Sequence, residues 1–132
     1  MNSDAERLLD ELPARIGFVG TVDQDGMPRT VPVWYRWDGE HIHITTSPAT
    51  GWASNLARDG RVSFCVAENA APYRATLIQG RAFLEPEDRA EVQRIFVRYL
   101  SQPDADRYYA SIKDRQLTML RLVPERVTFR QN

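Results

Sequence analysis

The chain has 132 residues, which leaves room for one core rather than two. Its 42% apolar and 27% charged residues are those of an ordinary folded globular protein and exclude a disordered segment or a disulfide scaffold. The 17 basic and 18 acidic side chains leave a net charge of −1 and lie scattered along the chain, so the concentrated basic footprint that nucleic acid requires is missing.

In chain order, Ala5, Leu8, Leu9 and Leu12 fall at helical spacing, with Ser3 or Asp4 as cap and Pro13 as stop, which predicts a short amphipathic helix. Ile16 to Val22 reads as a strand, and the turn Asp23-Gln24-Asp25-Gly26 turns it into a hairpin, Asp-Gly supplying the positive φ such turns need. From Arg29 to Trp37 a second strand points Val31, Val33, Tyr35 and Trp37 one way and Thr30, Pro32, Trp34 and Arg36 the other. Large side chains on both faces suit a small barrel or a subunit interface, and Pro32 marks an edge or bulge. Asp38-Gly39 is a second tight turn, and His41 to Thr46 a third strand.

Ser47-Pro48 then predicts a helix start with serine as cap and proline in the first helical position. Trp52 and Leu56 share one face of this helix of about three turns, and Gly60 ends it. Strands follow over Arg61 to Ala67 and Tyr73 to Leu84, with Gly80 a candidate bulge. Val92, Ile95, Phe96, Tyr99 and Leu100 form a helical stripe within Glu87 to Ser101. Pro103 opens a further helical stretch, and Gln116 to Val123 is a sixth strand that Val127 to Phe129 extends past Pro124. The sum is a single α+β domain over 1–132: a six- to seven-stranded antiparallel barrel, closed or split, with flanking helices.

No apolar run nears the roughly 20 residues of a membrane span, and Met1-Asn2-Ser3-Asp4-Ala5-Glu6 lacks the basic-then-apolar pattern of a signal peptide. A cytoplasmic protein without a membrane partner is expected. Cys65, the one cysteine, sits in the apolar run Val62-Ser63-Phe64-Cys65-Val66 and reads as an inert thiol. The chain has no Gly-rich phosphate loop, His-Glu-x-x-His, paired-cysteine metal site or nucleophile elbow. His41 and His43 share one face of a strand, but two ligands make a poor metal site, so they read as structural or solvent-facing. Thr45-Thr46-Ser47 runs into a helix N-terminus, where hydroxyls, free N–H groups and the helix dipole would suit a phosphate. Capping, which needs only Ser47, explains the same residues.

Taken together, "TVDQDGMPRTVPVWYRWDGEHIHITTSP", "SNLARDGRVSFCVAE", "PYRATLIQGRAFLEP" and "LVPERVTF" resemble, in the right order, the pyridoxamine 5′-phosphate oxidase-like split-barrel family, in particular its flavin- and deazaflavin-dependent branch. The resemblance implies a homodimer with two cofactor sites at its interface, binding FMN or the 8-hydroxy-5-deazaflavin coenzyme F420 and exchanging hydride with a small organic substrate. Carried onto this chain, it implies Thr45, Thr46, Ser47 and Asn55 around the phosphate end, Arg29 as a source of positive charge, and Val31, Pro32, Val33 and Trp34 along the isoalloxazine ring. Where many relatives carry a Lys or an Arg-Lys pair in the first turn of the helix, this chain has Gly51-Trp52. Trp52 would then stack on the ring or fill the core or interface. Tyr73, Arg74 and Arg81 have either a role at the neighbouring subunit's site or an ordinary surface role. No catalytic acid or base is singled out. Two other readings stand beside this one: a non-catalytic flavin- or haem-binding module, whose handle would be His41 and His43, and a barrel that has lost its ligand.

Overall fold

The computed structural model describes residues 1–132. In chain order it contains α1 (Ser3–Asp10), β1 (Gly17–Val22), β2 (Pro28–Val33), β3 (Arg36–Trp37), β4 (Ile42–Thr46), α2 (Gly51–Arg58), β5 (Arg61–Ala67), β6 (Ala75–Pro86), α3 (Arg89–Tyr99), α4 (Gln102–Ile112) and β7 (Thr118–Arg130). The seven strands form one antiparallel sheet in the order β2-β1-β5-β6-β7-β4-β3. Its two outermost strands, β2 and β3, are halves of one run of chain, so the sheet closes on itself at Trp34-Tyr35 and makes a split barrel. No helix is long and apolar enough to cross a membrane.

That joint is where the fold departs from the single strand expected over Arg29 to Trp37. Chain that leaves one neighbour for another must satisfy its backbone groups elsewhere. Here α3 does it: the Tyr35 N–H donates to the Tyr99 hydroxyl at 3.1 Å, and the Tyr35 carbonyl accepts from the Arg98 guanidinium. The expected facing survives the break, since Val33, Tyr35 and Trp37 are all buried.

Inside the barrel, Val19, Phe64, Val66, Ile78, Leu120 and Leu122 pack with Ile42 and Ile44, while Leu8 and Leu9 of α1 and Trp52 and Leu56 of α2 belong to the same cluster. A second cluster lies outside it, where Val92, Ile95 and Phe96 of α3 meet Ala105 and Ile112 of α4 over Met119 of β7. Burying such side chains stabilises by roughly 1.5–3 kcal/mol each. The helix pair therefore packs on the outside of the barrel, over β7.

Other expectations shift by a few residues, each for a local reason. Asn2, not Ser3 or Asp4, caps α1, its Oδ1 accepting from the Asp4 N–H at 2.7 Å and the Ala5 N–H at 3.3 Å. The final strand is continuous through Pro124, because Pro124 sits opposite Gly80 at the register shift between Gln79 and Gly80, where the ladder is already interrupted. Gly80 is required there: a Cβ would lie 2.1 Å from the Val123 carbonyl oxygen. The helix after β4 begins at Gly51 with Thr50 at its cap, rather than at Pro48 with Ser47 as cap, and runs eight residues, shorter than expected. Ser47 to Thr50 instead forms a turn, with Thr50 N–H donating to Ser47 O at 3.2 Å and the Ser47 hydroxyl accepting from the Ala49 N–H at 3.3 Å.

Candidate functional site

Between the barrel and the α3–α4 pair lies a cleft of about 570 Å³, of the size that small ligands occupy. Seven of the ten residues implicated from the sequence line it: Pro32, Val33 and Trp34 from the end of β2, Thr45, Thr46 and Ser47 from the end of β4, and Trp52 from α2. Ile95 and Phe96 of α3 and Tyr108 and Ile112 of α4 line it as well, and the α4–β7 turn contributes Arg115, Gln116 and Leu117.

Trp34 is held rather than loose. Its ring stacks on Tyr99 with centroids 4.9 Å apart and planes 5° from parallel, and it meets the edge of Phe96 at 5.9 Å. Offset aromatic pairs of this kind add about 0.5–1.5 kcal/mol beyond their buried area. Trp52 is 8% exposed and part of the barrel core, so its indole fills space and shows only one margin to the cleft.

The polar end is built by the turn that replaces the expected helix cap. Thr45 donates its hydroxyl to the Thr118 carbonyl at 3.3 Å, and the Thr46 and Thr50 hydroxyls lie 3.4 Å apart. Thr50 stands at the cap of α2 but makes no side-chain bond to it, so the first-turn N–H groups keep no side-chain acceptor from the cap. The Thr45, Thr46 and Ser47 hydroxyls line this end of the cleft, and α2 enters its lining at Trp52. This donor set suits a phosphate, and the apolar wall beyond it suits a flat ring.

Arg29, Val31 and Asn55 stand off the cleft. Val31 packs against the barrel core. Asn55 is 5% exposed and spends its side chain inside the fold, donating to Thr21 Oγ1 at 3.0 Å and Asp23 Oδ1 at 2.7 Å and accepting from Arg58 at 3.3 Å. Asp23 in turn accepts from Arg29 Nε at 2.8 Å and Nη2 at 3.3 Å. The Arg29 guanidinium and then the Asn55 amide hold the Asp23 carboxyl below its ordinary range. The Arg29 guanidinium carbon lies 3.6 Å from where a Gly51 Cβ would be, an ordinary contact distance that sets Arg29 beside the first turn of α2. Arg29 thus stands beside the start of α2 but lines a different groove and is already paired with a carboxylate.

The histidines take no part in the cleft. His43 Nε2 lies 2.6 Å from Asp38 Oδ2, and no group of three or more His, Cys, Asp or Glu residues is arranged to hold a metal ion. Burial raises the pKa of the Cys65 thiol, which keeps it protonated. Tyr73 carries a positive φ of 58° in the β5–β6 connection. Arg74 is committed to Glu11 and Glu68, and Arg81 lies 3.8 Å from Glu125. Arg115 and Gln116 were not visible from the sequence, because they reach the cleft only through the pairing of β4 with β7, which sets Thr46 opposite Thr118.

The family model described as pyridoxamine 5′-phosphate oxidase matches residues 6–131. A solved F420 reductase is similar with a TM-score of 0.78 at 24% identity, covering 97% of this chain and 98% of that one. A conserved hypothetical protein from Mycobacterium tuberculosis gives 0.75 at 26% identity, covering 99% and 86%. A Clostridium acetobutylicum protein related to general stress protein 26, of the pyridoxinephosphate oxidase family, gives 0.72 at 17% identity, covering 98% and 87%. No curated protein matches the chain. With a match over nearly its whole length and the split barrel that its strands form, the chain belongs to the pyridoxamine 5′-phosphate oxidase family.

Proposed function

We propose that the protein is an oxidoreductase that binds FMN or the deazaflavin F420 in this cleft and acts on a small organic substrate. The observation that carries the reading is the cleft's polarity: a rigid apolar wall at Pro32, Val33 and Trp34 leads to a hydroxyl-lined end at Thr45, Thr46 and Ser47. The likeness to a solved F420 reductase supports the fold this reading needs. Such a coenzyme supplies the hydride chemistry; the chain's part is binding, orientation and exclusion of water. Trp34, fixed by Tyr99 and Phe96, gives the ring an apolar boundary, and Ile112 and Leu117 help to exclude water. The Thr45, Thr46 and Ser47 hydroxyls hold the anionic end.

A homodimer belongs to the same reading. The sheet face carrying Phe18, Cys65 and Leu77 side by side has no helix over it, and Phe18 is 46% exposed, so a second copy would bury an apolar strip there. Titration of the purified protein with FMN, F420 and haemin, followed by absorbance and by sedimentation, tests both parts. Saturable flavin or deazaflavin binding with reversible reduction, on a particle of two chains, is expected. Binding of haemin alone would favour the haem-binding module, absence of saturable binding at tens of micromolar would favour the barrel that has lost its ligand, and sedimentation as a monomer would remove the dimer.

A further inference from the structure

The first turn of α2, Gly51-Trp52-Ala53-Ser54, carries no cationic side chain of its own. Arg29 lies next to Gly51 but is neutralised by Asp23 at 2.8 Å and opens onto a separate groove. The cleft itself has one charged lining residue, Arg115, and no acidic one. Arg115 pairs with no carboxylate of the chain, although its neighbour Arg89 pairs with Glu87 at 2.8 Å. An unpaired guanidinium at the mouth of a cleft free of carboxylates is a standing attraction for an anion.

The segment carrying Arg115 is also fixed in place. The Arg115 N–H donates to Ile112 O at 2.9 Å, its carbonyl accepts from Arg89 Nη2 at 3.1 Å, and the Leu117 N–H donates to Glu87 Oε2 at 3.3 Å. The Glu87–Arg89 pair therefore grips the α4–β7 turn on both sides of Gln116. Because Thr46 faces Thr118 in the β4–β7 ladder, this turn runs beside Ser47, the hydroxyl end of the cleft.

We propose that Arg115 on the α4–β7 turn, steadied by Glu87 and Arg89, holds the phosphate of the ligand in the cleft. The inference rests on the reading of the cleft as a flavin or deazaflavin site. Arg115 is a specificity residue: it distinguishes phosphorylated from unphosphorylated forms of the same ring. Glu87 and Arg89 are positioning residues.

The test measures affinity for FMN and for riboflavin, or for F420 and its phosphate-free riboside, by quenching of tryptophan fluorescence in the wild type, Arg115→Gln, Arg115→Lys and Arg89→Gln. A preference of about tenfold to a hundredfold for the phosphorylated form is expected in the wild type, as one charge-assisted contact gives. Arg115→Gln should lose most of that preference with affinity for the unphosphorylated ring unchanged, Arg115→Lys should restore part of it, and Arg89→Gln should reduce it. If Arg115→Gln keeps the preference, the phosphate is held elsewhere and the inference falls while the cleft reading stands. Equal affinity for both forms in the wild type has the same meaning. If no ring of either kind binds the wild type, the cleft reading falls and takes the inference with it.

Discussion

At the scale of single residues, the cleft separates side chains that look alike in the sequence. Thr45, Thr46 and Ser47 line it, whereas Asn55, equally polar and only eight residues further on than Ser47, points into the fold and locks Asp23 and Arg29 to the hairpin. Trp52 is the sharper case. With 8% exposure and membership of the barrel core, it is a packing residue first. Trp52→Lys places an ammonium where the indole fills the core, and removing a buried tryptophan alone costs about 3–5 kcal/mol. The expected result is a lower urea midpoint with no gain in affinity for a phosphate-bearing ligand; tighter binding at unchanged stability would show that the position faces the site.

At the scale of elements, the strands, both hairpin turns, the Gly80 bulge and the α3 stripe were legible because each follows from a pattern within a few residues: alternation, Asp-Gly, or helical spacing. The break between β2 and β3 was not, since its cause is the Tyr99 hydroxyl and the Arg98 guanidinium on α3, far along the chain. The start of α2 was misread for a related reason: Ser-Pro is as good an opening for a turn as for a helix, and the Ser47 hydroxyl is used within the turn. Arg115 carries no signal in the sequence, because turn residues acquire meaning only from what the sheet sets beside them.

Elements are also tied by charge. Glu11 after α1 and Glu68 after β5 both bind Arg74 before β6, with Arg15 joining Glu11 at 2.9 Å. Chiefly through the Arg74 hydrogen bonds, both carboxyls fall from the ordinary glutamate value of 4.5 to about 2. The folded chain thus binds fewer protons than the unfolded one between those values. The stability these groups contribute is complete above about pH 4.5 and is lost as pH falls towards 2. Denaturant midpoints measured across that window should drop steeply in the wild type. In Arg74→Met they should start lower at neutral pH and fall less on acidification; an unchanged acid slope would show that the network has no such linkage.

At the scale of the whole molecule, the barrel closes with one run of chain serving as both edges, and the same closure turns Trp34 outwards onto Tyr99 and leaves the space between barrel and helix pair. Fold and cleft therefore share one cause, the change of partner at Trp34-Tyr35. The ligand reading rests on what that space offers: a flat apolar wall, a hydroxyl end, and a free cation beside it. A crystal structure of the protein with FMN or F420 tests it most directly. Electron density for the ring against Pro32, Val33 and Trp34, with the phosphate beside Ser47 and Arg115, is the expected result. Density for the ring in the groove bordered by Arg61, Arg81 and Arg126 on the open sheet face, or an empty cleft at saturating ligand, would contradict it.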